Sequence, residues 1–229
     1  LLRDYGFTPQ EYKALKPGDD AMHLLHLDQP ILEINITPDR GYAFSYRGVA
    51  REYHHSTGAK FVDPVTELNK RAPAAPAVES GVSSDIEVIV DDNNPIHGVT
   101  GCDRYVARAI HGFDPTNHTP NWMRRRLIRA GMRSISLAVD VTNYVMLDLG
   151  QPMHAYDLDK IEGPIVVRRA AEGEKLTTLD GKEHDLSVED LLITDSPDGK
   201  RGSRILGIAG VMGGLYGEVT ADTKNILLE

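Results

Sequence analysis

The chain has 229 residues, of which 41% are hydrophobic, and its formal net charge is -9 at pH 7. That length and composition predict a water-soluble globular protein with a sizeable core, and the acidic balance excludes a protein that coats nucleic acid by bulk attraction. Cys102 is the single cysteine, so an internal disulfide and a zinc site of paired cysteines are excluded and a reducing compartment is favoured. No apolar run approaches the roughly 18 residues of a membrane helix, so we expect a cytoplasmic protein without a membrane partner.

The first 70 residues predict one strand and one helix. In residues 31–37, ILEINIT, apolar and polar side chains alternate as in a half-buried strand. Residues 38–58 carry apolar positions at helical spacing and end in a glycine, which favours a helix that stops at Gly58. The segment is too small for a core of its own. We therefore expect residues 1–70 to be a small helical appendage that belongs to an adjoining domain of a longer protein.

Residues 71–84 predict a linker. Alanine, proline and serine are dense there and large apolar side chains are few. Two strands are predicted after it, IEVIV over residues 86–90 and RYVARAIHGF over residues 104–113. Residues 138–150, AVDVTNYVMLDLG, predict a helical element that ends at its glycine.

Residues 119–131 predict a basic helix. Thr119 is a candidate N-cap, Pro120 suits the first helical position and Gly131 suits a left-handed stop. There is no acidic residue between Asp114 and Asp140. A solvated face is the ordinary explanation of such a cluster, and phosphate contact is the alternative. The arginines on or just beyond this helix are Arg124, Arg125, Arg126, Arg129 and Arg133.

Short strands with turn residues between them are predicted from residue 163 onward. Asp180 and Gly181 mark a hairpin turn. Strands outnumber helices and most are adjacent in sequence, which predicts an α+β fold on a largely antiparallel or mixed sheet with a few flanking helices. The strand-bearing segments are residues 163–170, 174–186, 190–195, 204–214 and 225–229.

A polar pair, His154 and Asp157, follows a long apolar run in the stretch GQPMHAYD. At a spacing of three the two side chains could share a helix face, so a histidine polarised by a carboxylate is one hypothesis. A core histidine with satisfied hydrogen bonds is the other. No neighbouring pattern supplies the third and fourth ligands of a metal site. Cys102 lies in a predicted strand without a positive partner nearby, and we expect a buried, unreactive thiol.

Glycines interrupt a strand pattern in residues 207–214, GIAGVMGG. A glycine inside a strand marks either a bulge that serves packing or a place where the backbone closely approaches another molecule. Neighbouring N–H groups on such a strand could hold an anion or an ester carbonyl. Composition alone leaves both interpretations open.

Three long stretches, residues 32–52, 134–163 and 206–229, together resemble the beta subunit of bacterial phenylalanyl-tRNA synthetase. The resemblance covers most of the chain in matching order. It implies that residues 85–229 form that subunit's editing domain, which hydrolyses tyrosine mischarged onto phenylalanine tRNA. The parent enzyme attaches phenylalanine to the same tRNA. A domain of the synthetase that only binds RNA or acts as a scaffold is the alternative.

The resemblance also assigns a pocket. Glu229 is expected to accept a hydrogen bond from the phenolic hydroxyl of the substrate. Gly213 and Gly214 are expected to leave room for the substrate. The sequence departs from the family pattern at Leu215 and in the long turn over residues 195–205. Arg124, Arg125 and Arg126 are the candidates for RNA contact. The ester and the attacking water are expected to be positioned by His154, Thr142 and Asn143.

The resemblance further implies the partners and cofactors. Phenylalanine tRNA and the synthetase alpha subunit, in an alpha2beta2 heterotetramer, are the expected partners. No metal and no cofactor is expected in this chain, whereas the parent enzyme uses ATP and magnesium for aminoacylation.

Overall fold

A computed structural model gives the structure of the chain, and its contacts divide the chain into two units. The first comprises Leu1–Leu68 and Thr116–Pro152, and the second comprises Asn69–Pro115 and Met153–Glu229. Residues 116–152 thus group with the N-terminal segment, whereas the predicted editing domain over residues 85–229 includes them. Beyond Arg71, the predicted linker lies outside the described residues. Those are residues 7, 9–71, 86–93 and 98–229.

The regular structure of the first unit is helical. A short 3-10 helix, Gly41–Phe44, comes before the third α-helix. None of the described helices is long and apolar enough to cross a membrane. The α-helices in chain order are α1 (Pro9–Ala14), α2 (Ala21–Leu24), α3 (Tyr46–Thr57), α4 (Pro64–Arg71), α5 (Asn121–Arg129) and α6 (Leu137–Leu149).

Helices α3 and α6 begin and end on residues of the expected types. The Ser45 side chain accepts a hydrogen bond from Gly48 N at the start of α3, and Gly58 ends the helix in the left-handed region with φ of 73°. Ser136 caps α6 in the same way, and Gly150 ends it with φ of 79°. The predicted helix ends at both glycines are therefore confirmed.

Two local predictions in this unit are wrong. Residues 31–37 form no strand, and Leu32 is 83% exposed, because no described strand pairs with this segment and alternation alone does not satisfy a backbone. Helix α5 has Pro120 as its N-cap in place of Thr119, so it begins one residue later than predicted, and it has no side-chain cap. The Thr119 hydroxyl instead donates to the buried Asp140 carboxylate at 2.5 Å.

The second unit is built on mixed and antiparallel sheets. The largest has the order β1-β4-β7-β8-β9, in which β1 runs parallel to β4 and the other pairs are antiparallel. A three-stranded antiparallel sheet has the order β2-β10-β3, and β5 pairs with β6. The strands are β1 (Val88–Asp91), β2 (Arg108–Ile110), β3 (Ala155–Asp157), β4 (Ile165–Arg169), β5 (Lys175–Thr177), β6 (Glu183–Asp185), β7 (Leu191–Asp195), β8 (Arg204–Ile208), β9 (Met212–Gly213) and β10 (Ile226–Leu228).

These sheets confirm the predicted α+β fold with a largely antiparallel or mixed sheet. The β5–β6 hairpin turns at Gly181, whose φ of 77° only glycine adopts readily. The strand predicted over residues 104–113 is shorter than expected and keeps three residues, Arg108–Ile110. Cys102 lies outside the strands, so its predicted place in a strand is wrong.

One hydrophobic core packs the five-stranded and three-stranded sheets together. Its members are 6% exposed or less, and burying each large apolar side chain stabilises the fold by about 1.5–3 kcal/mol. The core fixes the strands that carry the candidate site. Its buried residues are Val88, Ala107, Tyr156, Ile165, Val167, Ile193, Leu206 and Leu227.

Candidate functional site

Pairing of β3 with β10 brings His154 and Glu229 together. Ala155 lies opposite Leu228, so the next pair beyond the strand ends is His154 and Glu229. Glu229 N donates to His154 O at 2.9 Å, and His154 N donates to Glu229 O at 3.4 Å. Facing residues of an antiparallel pair project to the same side, and so does Tyr156, two positions after His154. Three side chains of the candidate site therefore share one face of the small sheet.

Tyr156 connects the other two side chains of this face. The residue is 2% exposed, and its hydroxyl donates to Glu229 Oε2 at 2.8 Å. The His154 imidazole meets its ring edge-on, with ring centroids 4.3 Å apart and planes at 65°. Such a contact is a favourable aromatic geometry, and it restricts rotation of the imidazole. The carboxylate and the imidazole are thus both held by one buried tyrosine.

The Glu229 carboxylate is surrounded by apolar groups and phenols. Burial raises its pKa, and the hydroxyls of Tyr156 and Tyr105 lower it in part. Burial, and secondarily the negative charge of Glu229, raises the pKa of each tyrosine well above its ordinary value. Both phenols therefore stay protonated at neutral pH and remain hydrogen-bond donors. No group of three or more metal-binding side chains occurs among the residues described.

Two polar atoms of this cluster are buried and lack a hydrogen bond, namely Tyr105 Oη and His154 Nε2. Burial lowers the pKa of His154, so its ring is neutral at pH 7 and one nitrogen is an acceptor. Tyr105 lies near Glu229, yet its hydroxyl makes no hydrogen bond of normal geometry. More than nine in ten buried polar groups in proteins are bonded, so these two atoms leave hydrogen-bonding capacity in the cluster that water or another molecule can fill.

Gly213 makes room for the imidazole. It lies in β9, paired with Gly207 of β8, and a Cβ atom there would be 2.5 Å from His154 Cε1 and 2.6 Å from Nε2. Any side chain larger than hydrogen would displace the ring. Gly213 is therefore closely approached by a side chain of the same chain, and the close approach of another molecule stays a prediction, whereas Gly210 adopts φ of 69° in the turn between β8 and β9.

A side chain at Gly214 would point away from His154, towards Leu176 and Leu206. A Cβ atom there would be 2.9 Å from both Leu176 Cδ1 and Leu206 O. Its own N–H donates to Leu206 O at 2.6 Å, and the N–H of Leu215 donates to Thr177 O at 3.0 Å. Both groups are used inside the sheet, so the hypothesis that neighbouring N–H groups here hold an anion is wrong at these two positions.

The pairing of His154 with Asp157 on one helix face is wrong. Both residues lie at strand β3, where a spacing of three places side chains on opposite faces. The Asp157 carboxylate accepts hydrogen bonds from Thr223 Oγ1 at 2.8 Å and from Asp159 N at 3.2 Å. It also lies 3.7 Å from Lys160 Nζ. Asp157 therefore supports the turn after β3.

Cys102 is half-buried rather than fully buried. Burial raises the pKa of its thiol, and the Sγ atom is 3.5 Å from Arg104 O. A raised pKa keeps the sulfur protonated, which agrees with the expectation of an unreactive thiol.

The remaining assigned residues belong to the first unit. Thr142 and Asn143 lie on α6, where Thr142 is 4% exposed and its hydroxyl donates to Val139 O at 2.8 Å. The hydroxyl oxygen keeps lone pairs free to accept a hydrogen bond. The catalytic assignment of this pair stays a prediction.

Helix α5 carries the three arginines assigned to RNA. Arg126 lies over the rings of Trp122 and Tyr144, with its Cζ 5.5 and 5.9 Å from the ring centroids, and it donates to the Tyr144 hydroxyl at 2.6 Å. Arg124 Nε donates to Ser134 Oγ at 3.1 Å. The helix thus presents cations beside aromatic rings.

An open groove of about 640 Å³ lies elsewhere in the second unit and contains none of the assigned residues. In its wall Arg204 lies over the Tyr216 ring at 4.1 Å and forms an ion pair with buried Asp195 at 2.5 Å. Leu215, one of the two departures from the family pattern, also lines this groove. That departure is therefore located in the groove wall.

Sequence reasoning missed Tyr105 and Tyr156. A strand at residues 155–157 would have placed Tyr156 beside His154, but GQPMHAYD was interpreted as a helix face. Tyr105 gave no signal, because its proximity to Glu229 depends on pairing between residues more than a hundred positions apart.

Comparison with known proteins supports the family. The phenylalanine–tRNA ligase beta subunit of Bifidobacterium longum is 81% identical over the whole chain, which spans 26% of that protein. That of Leifsonia xyli is 51% identical over 93% of the chain and 23% of its own length. The chain therefore spans about a quarter of these relatives, and the resemblance predicted from three sequence stretches is confirmed.

An N-terminal fragment of the phenylalanyl-tRNA synthetase beta subunit from Pyrococcus horikoshii aligns over 99% of this chain and 64% of its own, with 19% identity and a TM-score of 0.44. That likeness is too low to bear on fold or function. The B3/4 domain family matches residues 101–229, which is more than half of the sequence. The chain belongs to the B3/4 domain family.

Proposed function

We propose that this chain is the editing region of a phenylalanine–tRNA ligase beta subunit and hydrolyses tyrosine mischarged onto phenylalanine tRNA. The names of its relatives support the ligase. The single observation that carries the editing function is the half-buried Glu229, whose carboxylate is desolvated, accepts a hydrogen bond from the Tyr156 phenol and, within the described ranges, forms no ion pair. A desolvated carboxylate without an ion pair is costly to fold, so a functional role is the best explanation of it.

Chemistry explains why such a ligase needs editing. An apolar pocket made for phenylalanine rejects an analogue with one added hydroxyl by only about a hundredfold. A second site that binds the hydroxyl discriminates better, because phenylalanine leaves its polar group buried and unbonded. Rejection of phenylalanine by roughly ten-thousandfold becomes attainable. Glu229 is the group that would be left unbonded.

In the proposed reaction, water attacks the carbonyl carbon of the aminoacyl ester. The carbon–oxygen ester bond breaks, the ribose oxygen leaves and takes up a proton, and free tyrosine is released. His154 orients the water and the ester instead of acting as a strong base, because burial keeps its imidazole neutral and weakly basic. Thr142 and Asn143 complete the positioning of the ester, and the terminal ribose hydroxyl of the tRNA assists.

The partners follow from the same proposal. Phenylalanine tRNA binds with contributions from Arg124, Arg125 and Arg126, whose helix combines cations with the exposed ring of Trp122. The alpha subunit completes an alpha2beta2 ligase in the cytoplasm and carries aminoacylation, which uses ATP and magnesium. Hydrolysis in this chain needs neither.

The test uses the assembled ligase that carries this chain. Its deacylation of tyrosylated and phenylalanylated phenylalanine tRNA is measured, and the tyrosyl ester is expected to be hydrolysed at least about a hundredfold faster than the phenylalanyl ester. A domain that only binds RNA leaves both esters at the buffer rate, which would contradict the proposal. A metal-dependent hydrolase loses activity with a chelator, whereas we expect unchanged deacylation.

A further inference from the structure

The hydroxyl of Tyr105 has no assigned role, and although it lies close enough to Glu229 to lower the pKa of that carboxyl, it makes no hydrogen bond of normal geometry to a described residue. It is buried beside the Glu229 carboxylate, in the unit that also contains His154 and Tyr156. Tyr105 itself is half-buried, and it packs against the core that fixes β3 and β10. An orphaned phenol in that position requires an explanation, because an unbonded buried hydroxyl destabilises the fold.

The Glu229 carboxylate has one oxygen in use and one available. Tyr156 donates to Oε2 at 2.8 Å, and no hydrogen bond of normal geometry from a described residue reaches Oε1. Tyr156 is nearly fully buried, so this bond holds the carboxylate in a fixed orientation. The available acceptor, Oε1, and the unbonded Tyr105 hydroxyl therefore belong to the same cluster.

A phenol hydroxyl is both a donor and an acceptor, so one acceptor and one donor are needed to satisfy it. The Glu229 carboxylate supplies the acceptor. Burial keeps Tyr105 protonated, so its hydroxyl supplies the donor. Phenylalanine satisfies neither group, and an aniline, which is a poor acceptor, satisfies only the carboxylate.

We propose that Tyr105 is a specificity-determining residue, whose hydroxyl donates a hydrogen bond to the phenol oxygen of the substrate. In a second hydrogen bond, the O–H group of the same phenol donates to the Glu229 carboxylate. Tyr156 is the positioning residue that holds the carboxylate for this contact. The proposal rests on the editing function proposed above and extends it, since two side chains read the hydroxyl instead of one.

The first test is Tyr105→Phe in the assembled ligase, with kcat/KM for deacylation measured on tyrosyl and phenylalanyl tRNA. Hydrolysis of the tyrosyl ester is expected to fall about 3- to 10-fold, as for the loss of one hydrogen bond, and that of the phenylalanyl ester is expected not to change. Tyr216→Phe is the matched control, because it removes a hydrogen-bonded phenol outside the cluster. An equal fall on both esters, or no fall, overturns the proposal.

The second test measures binding instead of hydrolysis, with the non-hydrolysable 3′-amide analogues of tyrosyl- and phenylalanyl-adenosine. Tyr105→Phe is expected to reduce the preference for the tyrosyl analogue about 3- to 10-fold. This result stands apart from the proposed function, since a ligase that hydrolyses neither ester disproves editing while the binding preference still reports on Tyr105.

A third measurement needs no variant, so it tests the proposal even if the Tyr105→Phe protein does not fold. The wild-type ligase is given the amide analogue that carries 4-aminophenylalanine, which donates to Glu229 but accepts poorly. We expect it to bind about 3- to 10-fold more weakly than the tyrosyl analogue. Equal binding of the two analogues overturns the proposal.

Discussion

The Glu229 cluster and helix α5 both carry charged groups that the sequence singled out, but their surroundings differ. Glu229 lies among apolar groups and phenols, and burial raises its pKa. Arg126 on α5 lies over the exposed ring of Trp122, which is 52% accessible, and bonds a tyrosine hydroxyl. The carboxylate is thus held where its charge is costly, whereas the guanidinium is held where charge costs little.

The burial of Glu229 and the exposure of Arg126 determine how strongly each residue supports a function. An exposed arginine that stacks on aromatic rings is common on protein surfaces and needs no ligand to explain it. A desolvated carboxylate that is bonded by a single phenol and has no ion pair is unusual, and it remains destabilising unless a ligand makes use of it. The proposed editing function therefore rests on Glu229, and the proposed RNA contact by α5 has no comparable structural support.

Removing the carboxylate tests the stronger side of this comparison. Glu229→Ala in the assembled ligase is expected to reduce the preference for tyrosyl over phenylalanyl ester by roughly 10- to 100-fold, because a hydrogen bond to a charged group is removed. Hydrolysis of the phenylalanyl ester is expected to change less. The measurement is the ratio of kcat/KM on the two charged tRNAs, and an unchanged ratio would show that Glu229 does not read the hydroxyl.

Filling the space beside the imidazole tests how tightly the cluster is packed. Gly213→Ala places a methyl group 2.5 Å from His154 Cε1, so the ring must move, and we expect a loss of about 1–3 kcal/mol in the free energy of unfolding together with slower editing. The urea midpoint measures the stability. Gly41→Ala is the control, because no atom lies within 4 Å of its added Cβ. Equal midpoints for the two variants would mean that the ring moves aside freely.

Neutralising the arginines tests the weaker side. Replacing Arg124, Arg125 and Arg126 by glutamine is expected to lower tRNA affinity about tenfold at moderate salt and to reduce the salt slope by roughly one for each phosphate that the variant no longer binds. Affinity is measured over a series of salt concentrations. A variant with Lys175, Lys182 and Lys200 changed to glutamine has the same net charge. The same slope in both variants returns the arginines to an ordinary solvated face.

The smallest expected effect is on the pH dependence of the melting temperature. It distinguishes the Glu229 cluster from helix α5. Burial lowers the pKa of His154 below 6.5, so the unfolded chain binds its proton first as the pH falls. The stability that neutral His154 allows is complete above pH 6.5 and is lost as the pH drops from 6.5 towards the folded pKa. His154→Asn is expected to make the melting temperature less sensitive to acid in this range. Arginine does not titrate there, so the α5 variant should retain the wild-type dependence.

The contribution of Glu229 to the pH dependence of stability has the opposite sign. Its raised pKa means that stability is lost as the pH rises from about 4.5 towards the folded pKa, because the folded chain gives up its proton later. Glu229→Gln should reduce that loss. Melting curves of the two single variants that shift in the same direction with pH would contradict both assignments.

Local chemistry was enough to predict parts of the fold. The glycine stops at Gly58 and Gly150 and the hairpin turn at Gly181 depend on backbone conformations that few other residues adopt, so the sequence alone indicates them. The strand over residues 31–37 failed because alternation shows which face is apolar but supplies no partner for the backbone.

The site was predictable only in part, for a related reason. Local patterns singled out His154 and Gly213, and the resemblance added Glu229, while neither indicated Tyr105 or Tyr156. The two tyrosines meet the carboxylate through the β2-β10-β3 sheet, which joins segments far apart in sequence. No periodicity within one segment reports such a meeting. A register of strand pairing was needed before either phenol could be placed.

The two backbone hydrogen bonds between His154 and Glu229 have a consequence for how relatives of this chain can vary. More than seventy residues separate His154 from Glu229 in the sequence, yet the ladder between β3 and β10 sets the distance between these two residues. Insertions and deletions in the intervening loops, such as the long turn over residues 195–205, can therefore accumulate without displacing the carboxylate from the imidazole.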